Sequence, residues 1–372
     1  MMKFSDFIGN TGTVGVLRRM VEKQRLPQTL LFTGPSGVGK ATLARLLTAA
    51  INCDRTPGDI CGGCSNCLRI LQADLSREEF AQQFAEREKL PAAKRVENPL
   101  VISTHPDFLV FPPDGPLRLI TIEQARLLRA AAQFRPSGAR RRVFLIDHAD
   151  RANTEAANSL LKTLEEPAEA LTLILTAENP YDLLPTIRSR SIPFHFAPLS
   201  VAEMERFLDA RSDIRTTGRA RLVGWSQGSP GRALALDLEA YGERREAMLA
   251  LLRSALGTAS YGDLVAQTDR LAKRRQERLD LLTESLYGLL QDLLHLRHGS
   301  SRLLIHEDIR GELAPLAQTA SFEWIEGAVA RLAEIDSLLR RNIQKQIALE
   351  ALAVGLRRTM RAEAVTGLES KA

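Results

Sequence analysis

The chain has 372 residues, a length that suggests two or three domains. Its 44% hydrophobic and 26% charged residues are typical of a folded globular protein and exclude long disorder and collagen-like sequence. The net charge of +5 and the 5% aromatic content do not by themselves argue for nucleic-acid binding. We find no apolar run of membrane-spanning length and no secretory signal, so we expect a cytoplasmic protein without a membrane partner.

Taken in chain order, the first half of the sequence alternates between predicted strands and predicted helices. The helical spacing of Val14, Leu17 and Val21 indicates helical structure within residues 1–28. Short apolar runs predict buried strands at residues 30–32, 108–111, 142–147, 171–176 and 192–196. Helices are predicted from residue 40 onward, at 122–134 and at 155–166. This alternation predicts an α/β fold with a parallel sheet that helices cover on both faces.

The strand signal stops near residue 197, which we take as the end of a first domain, residues 1–197. Short helices predict a small second domain at residues 198–240, and long amphipathic helices predict an all-α third domain at 241–372. Two helices of the third domain carry apolar stripes, at residues 279, 282, 286, 289 and 293 and at residues 325, 329, 332, 335 and 339. Residues 74–99 are charged and helix-prone, which indicates a helical insertion in the first domain.

A glycine-rich turn between the first strand and the next helix matches the phosphate-loop pattern GxxxxGK[ST] except at its last position. In such a loop, backbone N–H groups face the phosphates, the helix N-terminus adds a positive dipole, and the lysine reaches the outer phosphates. An ordinary glycine turn is the alternative interpretation. The candidate nucleotide-binding residues are Gly34, Pro35, Ser36, Gly37, Val38, Gly39, Lys40, Ala41 and Thr42.

The candidate nucleotide site departs from the pattern where a magnesium ligand is needed. The expected hydroxyl is missing because Ala41 stands in its place, and Thr42 is rotated by about 100° around the helix. Asp147, at the end of an apolar strand, is the second candidate magnesium ligand, followed by His148. ATP with Mg²⁺ is therefore a candidate ligand. The alternatives are that Asp147 merely ends a strand and that His148 is a structural histidine.

All four cysteines fall within fifteen residues, which indicates a metal site in a cytosolic protein. Four thiolates complete a closed tetrahedral zinc site, which leaves no position for water or substrate and is therefore structural. We expect a zinc module at about residues 51–70. An iron–sulfur cluster also takes four cysteines and is the main alternative. The candidate ligands are Cys53, Cys61, Cys64 and Cys67.

Arginines in two segments are further candidate functional residues. Arg188 and Arg190 lie in the run RSRS before the last predicted strand, and Arg232 lies at a helix start in GSPGRA. An arginine before that strand can reach a neighbouring subunit's nucleotide site and stabilise charge on the transferring phosphoryl group. Arg232 can contact a nucleotide phosphate of its own chain. The alternative for each is an ordinary solvated arginine.

These motifs, in this order, resemble the bacterial clamp-loader subunits of the AAA+ class over residues 7–200. Besides the phosphate loop and the four cysteines, the resemblance rests on FIGN (7–10), HPD (105–107), ANSLLKTLEEP (157–167) and TIRSR (186–190). It implies an AAA+ P-loop domain, a helical lid domain at 198–240 and a helical collar domain at 241–372. It also implies that Arg190 acts as an arginine finger in trans, although Ser191 stands where the family's Ser-Arg-Cys signature has cysteine.

Within that class the sequence is closer to the delta-prime subunits of DNA polymerase III than to the motor subunits, gamma and tau. Active AAA+ subunits keep the hydroxyl and a water-polarising glutamate, whereas this chain has Ala41 and His148. The segments GSPG (228–231) and NIQKQIALE (342–350) are further likenesses. The resemblance implies a non-polymerising, stator-like subunit whose own ATPase is weak or absent.

The same resemblance implies the partners. It predicts a hetero-pentamer with gamma or tau and delta subunits, which loads the sliding clamp onto primed DNA during replication. One alternative is an ATP-hydrolysing motor subunit of the same loader. Another is a zinc-dependent nucleic-acid binder outside any loader, whose binding would weaken steeply with salt.

Overall fold

The computed structural model describes residues 3–211, 218–260, 262, 266, 279–300, 304–338 and 347–357. Contacts divide the chain into two compact units. The first unit comprises Met1–Arg211 and Gly228–Arg232, and the second comprises Ser212–Gln227 and Ala233–Ala372. The strands are β1 (Thr29–Thr33), β2 (Ile102–His105), β3 (Phe108–Phe111), β4 (Arg142–Ile146), β5 (Leu171–Ala177) and β6 (Ile192–His195). The helices up to residue 211 are α1 (Thr11–Glu22), α2 (Lys40–Ile51), α3 (Ser65–Leu71), α4 (Glu78–Lys89), α5 (Ala92–Glu97), α6 (Ile122–Ala132), α7 (Thr154–Glu165), α8 (Pro185–Ser189) and α9 (Val201–Asp209).

The six strands form one mixed, mostly parallel sheet in the order β2-β3-β4-β5-β1-β6. The prediction of an α/β fold is confirmed, but the prediction of a wholly parallel sheet is wrong for β2, a strand that the sequence analysis missed. Strand β2 pairs antiparallel with β3, while the other pairs are parallel. Only Pro106 and Asp107 separate β2 from β3. So short a connection can join only antiparallel neighbours, since a parallel pair needs a crossover.

The sheet is buried on both faces because alternate residues of each strand point to opposite sides. Leu30 and Phe32 of β1 pack with α1 and α2 on one face, whereas Leu31 belongs to the core formed with α6 and α7. All residues of β1, β4 and β5 are buried. Edge strand β6 is mostly exposed and carries Pro193, which an edge position tolerates because proline donates no backbone hydrogen bond.

The N-terminal helix and the insertion are the other predicted elements of this unit. Helix α1 occupies only part of residues 1–28, ending at Glu22. Helices α4 and α5 lie within residues 74–99, so this segment is helical as expected, and its status as an insertion remains a prediction. Phe80 is the buried residue of α4 and joins the core that packs against α2.

The second unit is helical in its described part. Its helices are α10 (Arg219–Trp225), α11 (Pro230–Ala235, which begins in the first unit), α12 (Leu238–Ala255), α13 (Leu279–Arg297), α14 (Arg310–Thr319), α15 (Phe322–Leu338) and residues 347–357. The five stripe leucines of α13 are all buried. Along α15, Ile325 and Leu332 are buried and Val329 is exposed, and Leu339 lies outside the described residues.

A polar network fixes the core of this helical unit. Tyr241 stacks on Trp225, with ring centroids 4.6 Å apart, and its hydroxyl lies 3.0 Å from Nε2 of His306. Nδ1 of His306 lies 2.8 Å from the carboxylate of Asp292, and both residues are fully buried. Asp292 also accepts the backbone N–H groups of Ile305 and His306, so the buried carboxylate is well compensated.

The contacts define two units, whereas the sequence predicts three domains with boundaries at residues 197 and 240. The three-domain division remains a prediction. The segment 342–350, which resembles delta-prime subunits in sequence, lies within the described residues only from residue 347 onward, where the chain is helical. Across the described residues, we find no helix whose length and apolar character suffice to cross a membrane.

Candidate nucleotide and metal sites

The phosphate-loop segment lies between β1 and α2, and two of its glycines are required by close backbone approach. Gly34 has φ +141° and Gly37 has φ +74°. A Cβ at Gly34 would lie 2.2 Å from the carbonyl oxygen of Phe196, and a Cβ at Gly37 would lie 2.3 Å from Oγ of Ser229. A side chain at either position is excluded by both backbone conformation and space.

Residues 229–232 hold this loop from a distant part of the sequence. The Gly231 N–H donates to the Gly37 carbonyl over 2.8 Å, and the Ser229 hydroxyl donates to the Ser36 carbonyl over 2.9 Å. The Arg232 N–H in turn donates to the Ser229 hydroxyl over 3.2 Å. The structure therefore brings the backbone of Arg232 to the phosphate loop, whereas contact of its side chain with a nucleotide phosphate remains a prediction.

The loop presents backbone donors that the protein does not use. The carbonyls of Ser36 and Gly37 accept hydrogen bonds from the segment 229–232. In contrast, four backbone N–H groups of the loop itself donate to no acceptor within the described part of the chain. A row of unpaired N–H groups at a helix N-terminus is a binding site for anionic phosphate. The donors in question are those of Ser36, Gly37, Val38 and Gly39.

The ammonium group of Lys40 lies within the loop. It donates to the carbonyl of Gly34 over 2.5 Å and to that of Pro35 over 2.8 Å. Burial lowers the pKa of Lys40, while the nearby carboxylates of Glu178, Asp147 and Asp150 act in the opposite direction. The lysine is therefore held at the loop in a strongly acidic surrounding.

Asp147 and His148 directly follow β4. They lie at the same end of the sheet as the phosphate loop, because the carboxyl ends of parallel strands point in the same direction. Thr176 of β5 links them, donating to Oδ1 of Asp147 over 2.7 Å and accepting the His148 N–H over 2.8 Å. His148 adopts a left-handed backbone, and its Nδ1 lies 3.7 Å from Oε1 of Glu178. Thr176 thus holds the Asp147 carboxylate near Lys40, and the residue after Asp147 carries an imidazole.

Thr176 and Glu178 are site residues that the sequence analysis missed. The signal for them is topological: β5 lies between β1 and β4, so the residues at its carboxyl end must lie between the loop and Asp147. Ala41 and Thr42 occupy the first turn of α2, and the side chain of Ala41 packs against the core. The expected loss of a hydroxyl ligand at residue 41 therefore remains a prediction about metal binding.

Arg190 lies at the C-terminal end of α8, away from these contacts. Its guanidinium forms an ion pair with Glu165 of α7 over 2.9 Å and donates to the Thr186 carbonyl over 3.1 Å. Neither Lys40 nor Asp147 shares a hydrogen bond or ion pair with it in the described structure. The neighbouring Arg188 lies 4.9 Å above the ring of exposed Tyr181. Buried Ser191 donates to the Ile187 carbonyl, so serine fits the position where the family has cysteine.

The four cysteines form one cluster at the end of α2 and the start of α3. Their sulfur atoms all lie within 4.8 Å of one another, and Cys53, Cys64 and Cys67 are buried. Backbone N–H groups donate to Sγ of Cys53, Cys61 and Cys64 over 3.3–3.4 Å. Such donors stabilise thiolate charge, which fits four thiolate ligands around one metal ion. The cluster can therefore hold a metal ion.

The thiol electrostatics agree with a metal-dependent cluster. Burial raises the pKa of Cys67 well above its ordinary range. At Cys64 burial acts in the same direction, but hydrogen bonds from Asp54 and Cys67 outweigh it and hold the pKa below the ordinary value. A metal ion bound by Cys67 would therefore displace the proton of that thiol.

The His-Pro-Asp motif ties the cysteine cluster to the sheet. Nε2 of His105 lies 2.9 Å from Oδ1 of Asn66, a residue of α3 between two of the cysteines. The Asp107 carboxylate accepts N–H groups from Ser137, Gly138 and Ala139. The Asn66 side chain also donates to the Gly138 carbonyl, so one network joins the cluster to the loop before β4.

Metal removal gives the first testable prediction. We expect one metal ion per chain, and we expect chelation to lower the melting temperature by at least about 6 °C, because the network around Asn66 loses its anchor. Calorimetry with metal analysis measures both effects. Cys67→Ser, which cannot complete the site, should show the low melting temperature without chelator and no further fall with it. A chelator-insensitive wild type that retains no metal would contradict the structural role.

The strand order, the phosphate loop and the acid at the end of β4 define an α/β protein of the P-loop class. The family model described as "DNA polymerase III, delta subunit" matches residues 9–200, which is more than half of the chain. The chain belongs to this family.

Relatives with established names agree with that assignment. The chain is 26% identical over 347 residues to DNA polymerase III subunit delta' of Bacillus subtilis (strain 168), an alignment that covers 92% of this chain and 94% of the relative. It is 32% identical over 219 residues to subunit delta' of Pseudomonas aeruginosa, covering 58% and 57%. It is 30% identical over 210 residues to subunit tau of Escherichia coli (strain K12), covering 55% of this chain and 27% of tau.

The predicted likeness to delta-prime subunits is therefore confirmed, and the chain is a clamp-loader subunit of the DNA polymerase III type. The chain spans nearly all of the Bacillus subtilis relative but only about a quarter of the length of tau.

Proposed function

We propose that this subunit is a stator-like member of the loader, which donates Arg190 to the ATP site of a neighbouring motor subunit. The observation that carries the proposal is a contrast within one chain. Its own site has Ala41 and His148 at the two positions that hydrolysis requires, whereas the guanidinium of Arg190 is exposed at the end of α8. A charge that is unused in its own site and exposed at the surface suits action on a second subunit.

In the neighbouring site, the Arg190 guanidinium would donate hydrogen bonds to phosphoryl oxygens that gain negative charge as the terminal phosphate leaves. The residues of this chain supply only position and charge to that step. The surface location of Arg190, at the end of a short helix packed on α7, allows this approach without disturbing the sheet.

The chain's own nucleotide site supports binding better than hydrolysis. Phosphates would be held by the loop N–H groups from Ser36 to Gly39 and by Lys40, with Arg232 close to the same loop. Asp147, fixed by Thr176, would hold Mg²⁺, and this ion would neutralise phosphate charge. Without a hydroxyl at residue 41 the magnesium ion loses one expected ligand.

The remaining assignments follow the same family resemblance. We place the AAA+ domain at residues 1–197, the lid at 198–240 and the collar at 241–372. The cysteine cluster would hold Zn²⁺ as a structural ion, because four protein ligands close the coordination sphere. The partners would be gamma or tau and delta subunits in a hetero-pentamer, which acts on the sliding clamp and primed DNA in the cytoplasm.

A motor subunit is the second candidate function. The observation in its favour is the convergence of Asp147 and Glu178 on Lys40, which leaves a carboxylate near the site even though residue 148 is histidine. Under this alternative the isolated chain would hydrolyse ATP steadily.

Reconstitution tests the proposed role directly. Motor and delta-type subunits are mixed with and without this chain, and clamp loading onto primed DNA is measured. We expect loading only in the mixture that contains the chain, together with co-elution of all subunits in one complex. Full loading in its absence would contradict the proposal.

A further inference from the structure

Glu165, the last residue of α7, is in direct contact with Arg190. The proposed function described above assigns no role to Glu165. We infer that Glu165 is a positioning residue, which holds the Arg190 guanidinium in the orientation used on the neighbouring nucleotide. This inference rests on the proposed function of Arg190 and deepens it.

The geometry fixes the guanidinium at two separate nitrogens. One terminal nitrogen pairs with Oε1 of Glu165 over 2.9 Å, and the other donates to the Thr186 carbonyl one turn earlier in α8. Two contacts on different nitrogens fix both the place and the plane of the group. Among the described residues, Arg190 makes one side-chain hydrogen bond and one ion pair, so most of its five N–H donors remain for a ligand.

The two supports come from elements that the fold itself orients. Helix α7 ends at Glu165, directly before Glu166 and Pro167, and α8 packs against α7. The buried residues Leu160 and Leu164 of α7 and Ile187 of α8 share one apolar core. The distance between Glu165 and Arg190 is therefore set by buried packing and does not depend on a mobile loop.

The ion pair with Glu165 is weak enough to orient the Arg190 side chain without preventing it from binding a phosphate. Both side chains are partly exposed, Arg190 by 36% and Glu165 by 48%, so solvent screens their attraction strongly. A weak pair cannot hold the arginine away from a nucleotide phosphate, which binds guanidinium bidentately. It does reduce the number of arginine rotamers, and a side chain that is already ordered loses less freedom when it reaches the transition state.

The two glutamates at this helix end provide a matched control. Glu166 follows Glu165 directly, is exposed, and forms no ion pair with any described residue. Glu165→Gln and Glu166→Gln remove the same charge one residue apart. Long-range electrostatics change equally in both variants, so a difference between them reports the contact with Arg190.

The test is steady-state ATP hydrolysis by the complete reconstituted loader with clamp and primed DNA. For the rate that depends on Arg190, we expect Glu165→Gln to lower kcat about threefold to tenfold with KM for ATP unchanged. Glu166→Gln should match wild type, and Glu165→Asp should lie between. Combined with Arg190→Ala, Glu165→Gln should cause no further loss, because the two residues act through one group.

The outcomes separate this inference from the function on which it rests. If Arg190→Ala slows hydrolysis but Glu165→Gln does not, the positioning role is wrong and the arginine finger stands. An additive loss in the double variant, or an equal effect of Glu166→Gln, also overturns it. If Arg190→Ala leaves the rate unchanged, the arginine finger itself is refuted and the inference falls with it. Thermal unfolding of each loader subunit variant distinguishes misfolding from these outcomes.

Discussion

Replacing Arg190 with alanine is expected to slow ATP hydrolysis at the neighbouring site by roughly 10³-fold, because an arginine finger contributes that much or more to phosphoryl transfer. The loader should still assemble, since the Arg190 side chain contributes only one exposed ion pair and one exposed hydrogen bond to its own chain. Single-turnover hydrolysis measures the effect best, because it isolates the affected site as a slow phase. The overall DNA-stimulated rate should fall by the share of that one site.

The neighbouring arginine provides the control for this result. Arg188 lies over the Tyr181 ring and belongs to the same helix, so Arg188→Lys keeps a similar charge two residues away. We expect Arg188→Lys to leave the slow phase absent, and Arg190→Lys to retain charge but lose bidentate geometry and most of the rate. A wild-type rate in Arg190→Ala, with the complex intact, would contradict the trans-acting role.

The α/β character of the first unit could be predicted because its five main strands are apolar and separated by helical patterns. The same patterns failed for β2, because only its two end residues, Ile102 and His105, are buried and only one of its four residues is strongly apolar. Strand β2 is defined by its pairing with β3, which is a tertiary property. Local sequence could not show it.

The candidate site shows the same limit. The phosphate loop, Lys40 and Asp147 could be predicted from the sequence because each belongs to a local motif next to a predicted strand or helix. Thr176 and Glu178 could not, since their role comes from the position of β5 between β1 and β4. The hydrogen bond between Gly231 and Gly37 joins residues far apart in sequence, and no spacing encodes it. The ion pair of Glu165 with Arg190 likewise depends on how α7 and α8 pack.

Metal and nucleotide sites share one structural support. Helix α2 begins at Lys40 beside the phosphate loop and is followed, two residues after its end at Ile51, by Cys53 of the cysteine cluster. Nine of the twelve residues of α2 are buried, so close packing holds the helix in place. A metal ion bound by the cysteine cluster would therefore stabilise, at its C-terminal end, the helix that positions the loop at its N-terminal end.

The chain's own site gives the second prediction of large effect. The isolated wild-type chain should bind nucleotide phosphates without measurable hydrolysis, because residue 41 offers magnesium no hydroxyl and residue 148 is an imidazole. Restoring both groups with Ala41→Thr and His148→Glu should raise phosphate release by about 10²-fold or more, the usual contribution of a catalytic base. Lys40→Ala on that background should abolish the gain.

Glu178 must be considered in the same design. Its carboxylate lies 3.7 Å from Nδ1 of His148, so a glutamate at residue 148 would meet a like charge and take up a proton more readily. Glu178→Gln is therefore included in the restored variant, with Glu178→Gln alone as its control. Steady hydrolysis by the wild type that disappears with Lys40→Ala would instead identify a motor subunit, in which a carboxylate such as Glu178 compensates for His148. If the restored variant stays inactive while binding nucleotide normally, the substitutions at 41 and 148 are not what silences the site.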